Sequence, residues 1–212
     1  YALLWKSALE TLYMVGVSTL LAAIGGLAVG VLLVATGRGR VLAAPGVNRV
    51  LGAVVNVGRS IPFIILLVAI IPLTRWIVGS AIGTQAAIVP LVIGAIPYVA
   101  RLVEGALEEV DGGVIEAVVS MGATPWQVIT RAYLPEAVPA LVRGVTLTAI
   151  TLIGYSAMAG AVGGGGLGDV AVRYGYQRFR PDVMLATVVI LVALVQAIQW
   201  TGEGLARRWD RR

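Results

Sequence analysis

Four stretches of this chain run for 20 residues or more without a charge: 11–37, 76–100, 144–168 and 183–202. A helix rising 1.5 Å per residue needs about 20 apolar residues to cross a bilayer core of about 30 Å. Each run is therefore long enough to span. A fifth run, "SIPFIILLVAIIPLT" at 60–74, is short alone and becomes a span if its helix begins upstream in "VNRVLGAVVNVGR". The expected fold is all-α: one polytopic membrane domain over residues 1–212. Its five transmembrane helices are placed at about 11–36, 50–74, 77–100, 144–163 and 183–203, with a polar loop over 101–143.

Composition agrees. Hydrophobic residues make up 58% of the chain and charged ones only 13%, about half the charge a soluble domain carries. The +5 net charge does not imply a nucleic-acid partner, because no basic run is interleaved with aromatics. Loop arginines account for it. Arg38, Arg40, Arg49, Arg101, Arg131, Arg143 and the terminal "RRWDRR" collect on one side of a five-span topology. The positive-inside rule makes that side cytoplasmic, so the N-terminus is expected outside and the C-terminus inside. Lys6 and Glu10 precede a first run too long for a signal-peptide core of about 7–15 residues, and it reads as a retained anchor.

There is no cysteine and no histidine. Disulfides, thiolate chemistry, the usual zinc sites and histidine acid–base work are excluded. The acids all lie outside the long apolar runs. No catalytic residue, metal site or cofactor is expected.

"AVGGGGLGD" holds glycines at 163, 165 and 168, the G-x-G-x-x-G spacing of a dinucleotide cradle. That cradle needs a short buried strand before it and a helix after it. Here a membrane-length run comes first, and Asp182, near the spacing of a ribose-binding acid, starts the next span. The run Gly163, Gly164, Gly165 and Gly166 reads instead as a helix end and a tight, mobile outer mouth. Breakers recur elsewhere: Pro62, Pro72, Pro90, Pro97, Gly154 and Gly160. Freed backbone groups in lipid are tolerated only beside protein or water, so several breakers together favour a bundle lining a pathway. In "GYSAMAG", Tyr155, Ser156 and Met158 are the candidate pathway residues.

The loop is not a floppy linker. Val114, Val118 and Met121 recur at helical spacing, with Ile115 and Val119 adjoining. Gly122 suits a C-cap; Thr124 and Pro125 suit an N-cap and first helical position. A second short helix, "WQVITRAYL", is expected to run to Pro135. Glu116 and the acids before it disfavour an anionic lipid surface and suit a protein partner with a receiving groove.

"EAVVSMGATPWQVITRAYLP", residues 116–135, resembles the EAA loop of ABC-importer permeases. That loop has Glu-Ala-Ala, three residues, Gly, nine residues, Ile, any residue, then Leu-Pro. Glu116, Ala117, Gly122, Leu134 and Pro135 match; Val118 and Ala132 depart from the pattern but stay apolar. With "NVGRSIPFIILLVAIIPLTRWIVG", "GTQAAIVPL" and "RYGYQRF", nearly the whole chain resembles the permease subunit of methionine importers. The resemblance implies a homodimer with a second copy, two ABC ATPase subunits, an external substrate-binding protein and methionine as substrate, in a bacterial cytoplasmic (inner) membrane. It implies alternating access, with ATP hydrolysed only by the partner. A permease for another amino acid is the alternative, and a passive channel a further one. A channel needs no acidic helix–turn–helix between its third and fourth spans. A membrane enzyme needs ionisable groups inside its spans, and Arg59 alone supplies no acid–base pair.

Overall fold

No proline interrupts the chain before Pro45, and Ala2–Ala35 forms one 34-residue helix, α1. The structure, a computed structural model, describes residues 2–209. Helix α2 (Pro45–Ser60) opens on a proline, whose missing N–H costs nothing at a first helical position. It ends before Pro62, because the residue preceding a proline is pushed out of helical backbone; Ile61 sits at φ −79° and ψ 121°. Helices α3 (Phe63–Ala69) and α4 (Ile71–Val78) follow, then α5 (Thr84–Glu108). Beyond it come α6 (Gly112–Ser120), α7 (Pro125–Val128), a π turn (Ile129–Tyr133) and α8 (Leu134–Ala161). Helix α9 (Gly166–Val170), a second π turn (Ala171–Tyr176) and α10 (Pro181–Trp209) complete the described residues, among which there is no strand.

Among the described residues four helices are long and apolar enough to cross a membrane: Ala2–Ala35, Thr84–Glu108, Pro125–Ala161 and Pro181–Trp209. The pair α2–α3 adds a fifth if its two halves count as one, and they meet at 99°. The second span expected over 50–74 is carried by two helices, with Pro62, one of its expected breakers, at the break. A second expectation also changes. Pro135 does not end a short helix, since the chain is helical from Pro125 to Ala161. The π turn explains how: Leu134 donates its N–H to the Ile129 carbonyl, five residues back. That wider turn makes room for the ring that would otherwise break the ladder. The loop expected over 101–143 is accordingly shorter, for α5 persists to Glu108 and the next long helix starts at Pro125.

The core lies where α1, α5 and α8 meet, around Met14, Leu91, Val99, Leu107, Leu152 and Ile153. Close approach of α1 and α5 depends on "GLAVG", residues 26–30. A Cβ on Gly26 would lie 2.4 Å from the Val99 Cβ, and one on Gly30 2.6 Å from the Val103 Cβ. Such small-residue pairs let membrane helices pack backbone to backbone. Sequence patterning pointed to the spans but not to this contact. Large apolar side chains such as Leu20, Ile24, Leu185 and Trp200 face outward, as a hydrocarbon solvent requires.

Candidate functional site

Between α5 and α7 the chain builds a small protruding hairpin. Asp111 starts α6 by accepting a hydrogen bond from the Gly113 N–H at 2.7 Å. Ile115 and Val118 turn inward and, with Ala123 and Leu134, pack against the core; no residue of α6 is fully buried. Glu116, Ala117 and Val119 are exposed, and Met121 is 78% exposed. Val114 and Met121 thus leave the stripe that periodicity assigned to them. A nine-residue helix with no fully buried residue touches the core along a line only, and Ile115–Val118 is that line.

The turn follows sequence chemistry closely. Gly122 has φ 80°, in the left-handed region that glycine enters without steric cost. Thr124 and Gln127 form a capping box: the Thr124 N–H donates to Gln127 Oε1 at 2.9 Å and the Gln127 N–H to Thr124 Oγ1 at 3.4 Å. Pro125 holds the first helical position, and Trp126 stands 71% exposed beside it. Leu134 is half-buried at the start of α8 and Pro135 is exposed. The Arg40 Nη1 donates to the Tyr133 hydroxyl at 2.8 Å, tying the preceding loop under the π turn. Trp126 and the Arg40–Tyr133 bond had no signal in the sequence pattern. Nothing lies within 4 Å of a Cβ built at Gly122, so replacement there meets strain and not bulk. We expect Gly122→Ala to cost about 1 kcal/mol and Gly122→Asn less, read as shifts in thermal midpoint; equal and zero shifts would remove the left-handed requirement.

At the other end of α8 the four glycines form a turn held from two sides. Gly163, Gly165 and Gly166 have φ of 91°, 77° and 73°. The Gly164 N–H donates to the Ala159 carbonyl at 2.8 Å, and the Gly83 N–H donates to the Gly163 carbonyl at 2.9 Å. From α1, Glu10 Oε2 accepts the Gly166 N–H at 3.0 Å and Thr11 Oγ1 the Leu167 N–H at 2.9 Å. Gly164 and Gly166 are buried. The run is a packed, hydrogen-bonded turn. A 28-residue helix precedes it where a nucleotide cradle has a strand. Asp182 is engaged by Arg180 at 2.9 and 2.7 Å.

The three pathway candidates do not share a face. The Tyr155 ring stacks on Phe63 of α3, with centroids 4.4 Å apart and planes 7° off parallel. Ser156 is 2% exposed, and its hydroxyl donates to the Ile153 carbonyl of its own helix at 2.7 Å. Met158 is 47% exposed. Among the described residues no group of three or more acidic, histidine or cysteine side chains could hold a metal.

Residues 26–211 match the family of binding-protein-dependent transport system inner membrane components. The chain belongs to this family. Curated relatives cover nearly all of it. It is 55% identical over 210 residues to the probable D-methionine transport system permease protein MetI of Vibrio cholerae, spanning 99% of this chain and 93% of that one. It is 46% identical over 209 residues to the methionine import system permease protein MetP of Bacillus subtilis, spanning 99% and 94%. A solved inward-facing MetNI methionine ABC transporter superposes with TM-score 0.98 at 51% identity, covering 100% of this chain and 98% of that chain. An amino acid ABC transporter at 20% identity and TM-score 0.74 shares the fold. As a member of this permease family the chain is a multi-pass inner-membrane component. The hairpin, the π turn and the glycine turn all lie inside the matched stretch, whereas Glu10 and Thr11, which fasten that turn, precede it.

Proposed function

We propose that this chain is the permease subunit of an ATP-driven importer that moves methionine across the cytoplasmic membrane. The observation that carries the reading is a 0.98 TM-score over the whole chain to a methionine ABC transporter, joined to a protruding hairpin suited to docking. The subunit is no enzyme; two partner ATPases hydrolyse ATP, a second copy completes the pore, and an external binding protein delivers substrate. The hairpin centred on Glu116, Ala117 and Gly122, with Leu134 and Pro135 behind it, seats in the ATPase. The whole chain forms one transport domain of five spans, the second being the bent pair. Its N-terminus lies outside and its C-terminus in the cytoplasm, the side favoured by the arginine count. Asp210, Arg211 and Arg212 of that basic tail lie outside the described residues.

Purified with its ATPase and reconstituted with binding protein, the chain should accumulate methionine only when ATP is supplied on the cytoplasmic face. Accumulation without ATP would make it a channel; accumulation of another amino acid in preference would change the substrate. The pathway assignment has its own test. Met158 is the exposed member of the three, and no native thiol competes. We expect Met158→Cys to form a disulfide between copies in nucleotide-free importer, where Cα atoms come within about 7 Å. That yield should fall when a non-hydrolysable ATP analogue is bound. No crosslink in either state would place Met158 away from the two-fold axis.

A further inference from the structure

The break in the second span leaves an exposed charge beside α5. Arg59 is the penultimate residue of α2. A Cβ on neighbouring Gly58 would lie 2.7 Å from Pro97 of α5, and Phe63, just past the break, lies against Gly94 of the same helix. Gly94 and Pro97 lie about 15–20 Å along α5 from Thr84 by the 1.5 Å rise, close to the middle of a core about 30 Å thick. Ionisable side chains at that depth mark function.

Arg101, one helix away, is held through both terminal nitrogens: it pairs with Glu104 and donates to the Gly52 carbonyl at 3.0 Å and Asn56 Oδ1 at 2.9 Å, while its buried Nε has no partner. Arg59 has no hydrogen-bond or ion-pair partner among the described residues, and neither does the hydroxyl of Tyr98 or Tyr155. All three line one cavity of about 150 Å³, with the stacked Phe63–Tyr155 rings as its apolar wall. A cavity of about that volume accommodates a group the size of benzene, enough for the thioether side chain of an amino acid with its polar end at the mouth.

Resting on the importer reading, the geometry points to an intramembrane substrate site at this break. Arg59 takes the α-carboxylate of an amino acid, since a guanidinium fork matches a carboxylate. The Phe63–Tyr155 pair takes the apolar side chain, and a thioether gains from contact with aromatic rings. The lining holds no carboxylate, so the α-ammonium is left to the phenol oxygens of Tyr98 and Tyr155. The grip is one-sided, which suits a site that must release its occupant on every cycle.

The test uses the assembled importer and a methionine analogue bearing a diazirine in place of the thioether. Illumination during turnover should label peptides holding Phe63, Tyr98 or Tyr155, and excess methionine should protect them. Arg59→Gln should cut that labelling about tenfold, the loss of one charged hydrogen bond, while Arg59→Lys retains part of it. Mapping the label in the unsubstituted importer decides the matter even if Arg59→Gln does not assemble. An importer that accumulates methionine yet labels elsewhere, or labels equally without Arg59, overturns this site and leaves the transport reading intact. An importer that accumulates no methionine overturns both.

Discussion

Glu116→Lys brings uptake to background while leaving the permease folded. Glu116 is exposed and makes no hydrogen bond or ion pair among the described residues. Its substitution therefore removes nothing from the fold, and thermal midpoint should hold within error. Its setting is that of a contact residue. Exposed Val119, Met121 and Trp126 surround the same end of the hairpin, so docking would desolvate the carboxylate among apolar side chains. A reversed charge in such a contact costs several kcal/mol, and about 4 kcal/mol is a thousandfold in affinity. Co-purification of the ATPase should be lost together with uptake, and Glu116→Ala should weaken both less. If ATPase still co-purifies with Glu116→Lys and transport continues, the hairpin is not the docking element.

Gly168→Val should unfold the glycine-turn end of α8. A Cβ at Gly168 would lie 2.4 Å from the Ala157 carbonyl oxygen and 2.5 Å from its Cα. Across the same contact, a Cβ at Gly160 would lie 2.4 Å from the Asp169 nitrogen. These neighbours are backbone, so no rotamer change relieves the overlap, and α9 must leave α8. Overpacking a yielding core costs up to about 3 kcal/mol; an unyielding contact should reach at least that. The expected readout is loss of monodisperse protein in detergent, or a thermal midpoint lowered far more than by Gly154→Val, where a Cβ meets nothing within 4 Å. Equal midpoints for the two variants would show that α9 is not seated on α8.

The third glycine of the G-x-G-x-x-G run thus serves close backbone approach, the property that such glycines supply in a nucleotide cradle, applied here to two helices. The sequence alone excluded the cradle, because charge-free runs of membrane length are incompatible with a short strand. It also revealed the hairpin's turn, since Thr124, Pro125 and Gly122 carry local backbone chemistry that acts over three or four residues. What stayed hidden is non-local. Pro62 was visible as a breaker, yet the 99° angle depends on what α5 presents to both halves. Pro135 looked like a stop, because a π turn upstream has no residue signature that would announce it. The Arg59 cavity was invisible for a similar reason: Tyr98 and Tyr155 lie on separate helices, and only packing brings them to one guanidinium.

The uninterrupted helix from Pro125 to Ala161 has a mechanical consequence. Its 37 residues make a rod about 55 Å long, with the capping-box hairpin at one tip and the glycine turn at the other. A rod tilting by 10° about its midpoint swings its tips about 5 Å each in opposite directions. The hairpin and the turn are therefore the two arms of a seesaw, and its stiffness hinges on the five-residue π turn, where the helical ladder is widest. If the helix tilts as one body, displacing the hairpin tip moves the glycine-turn tip the opposite way.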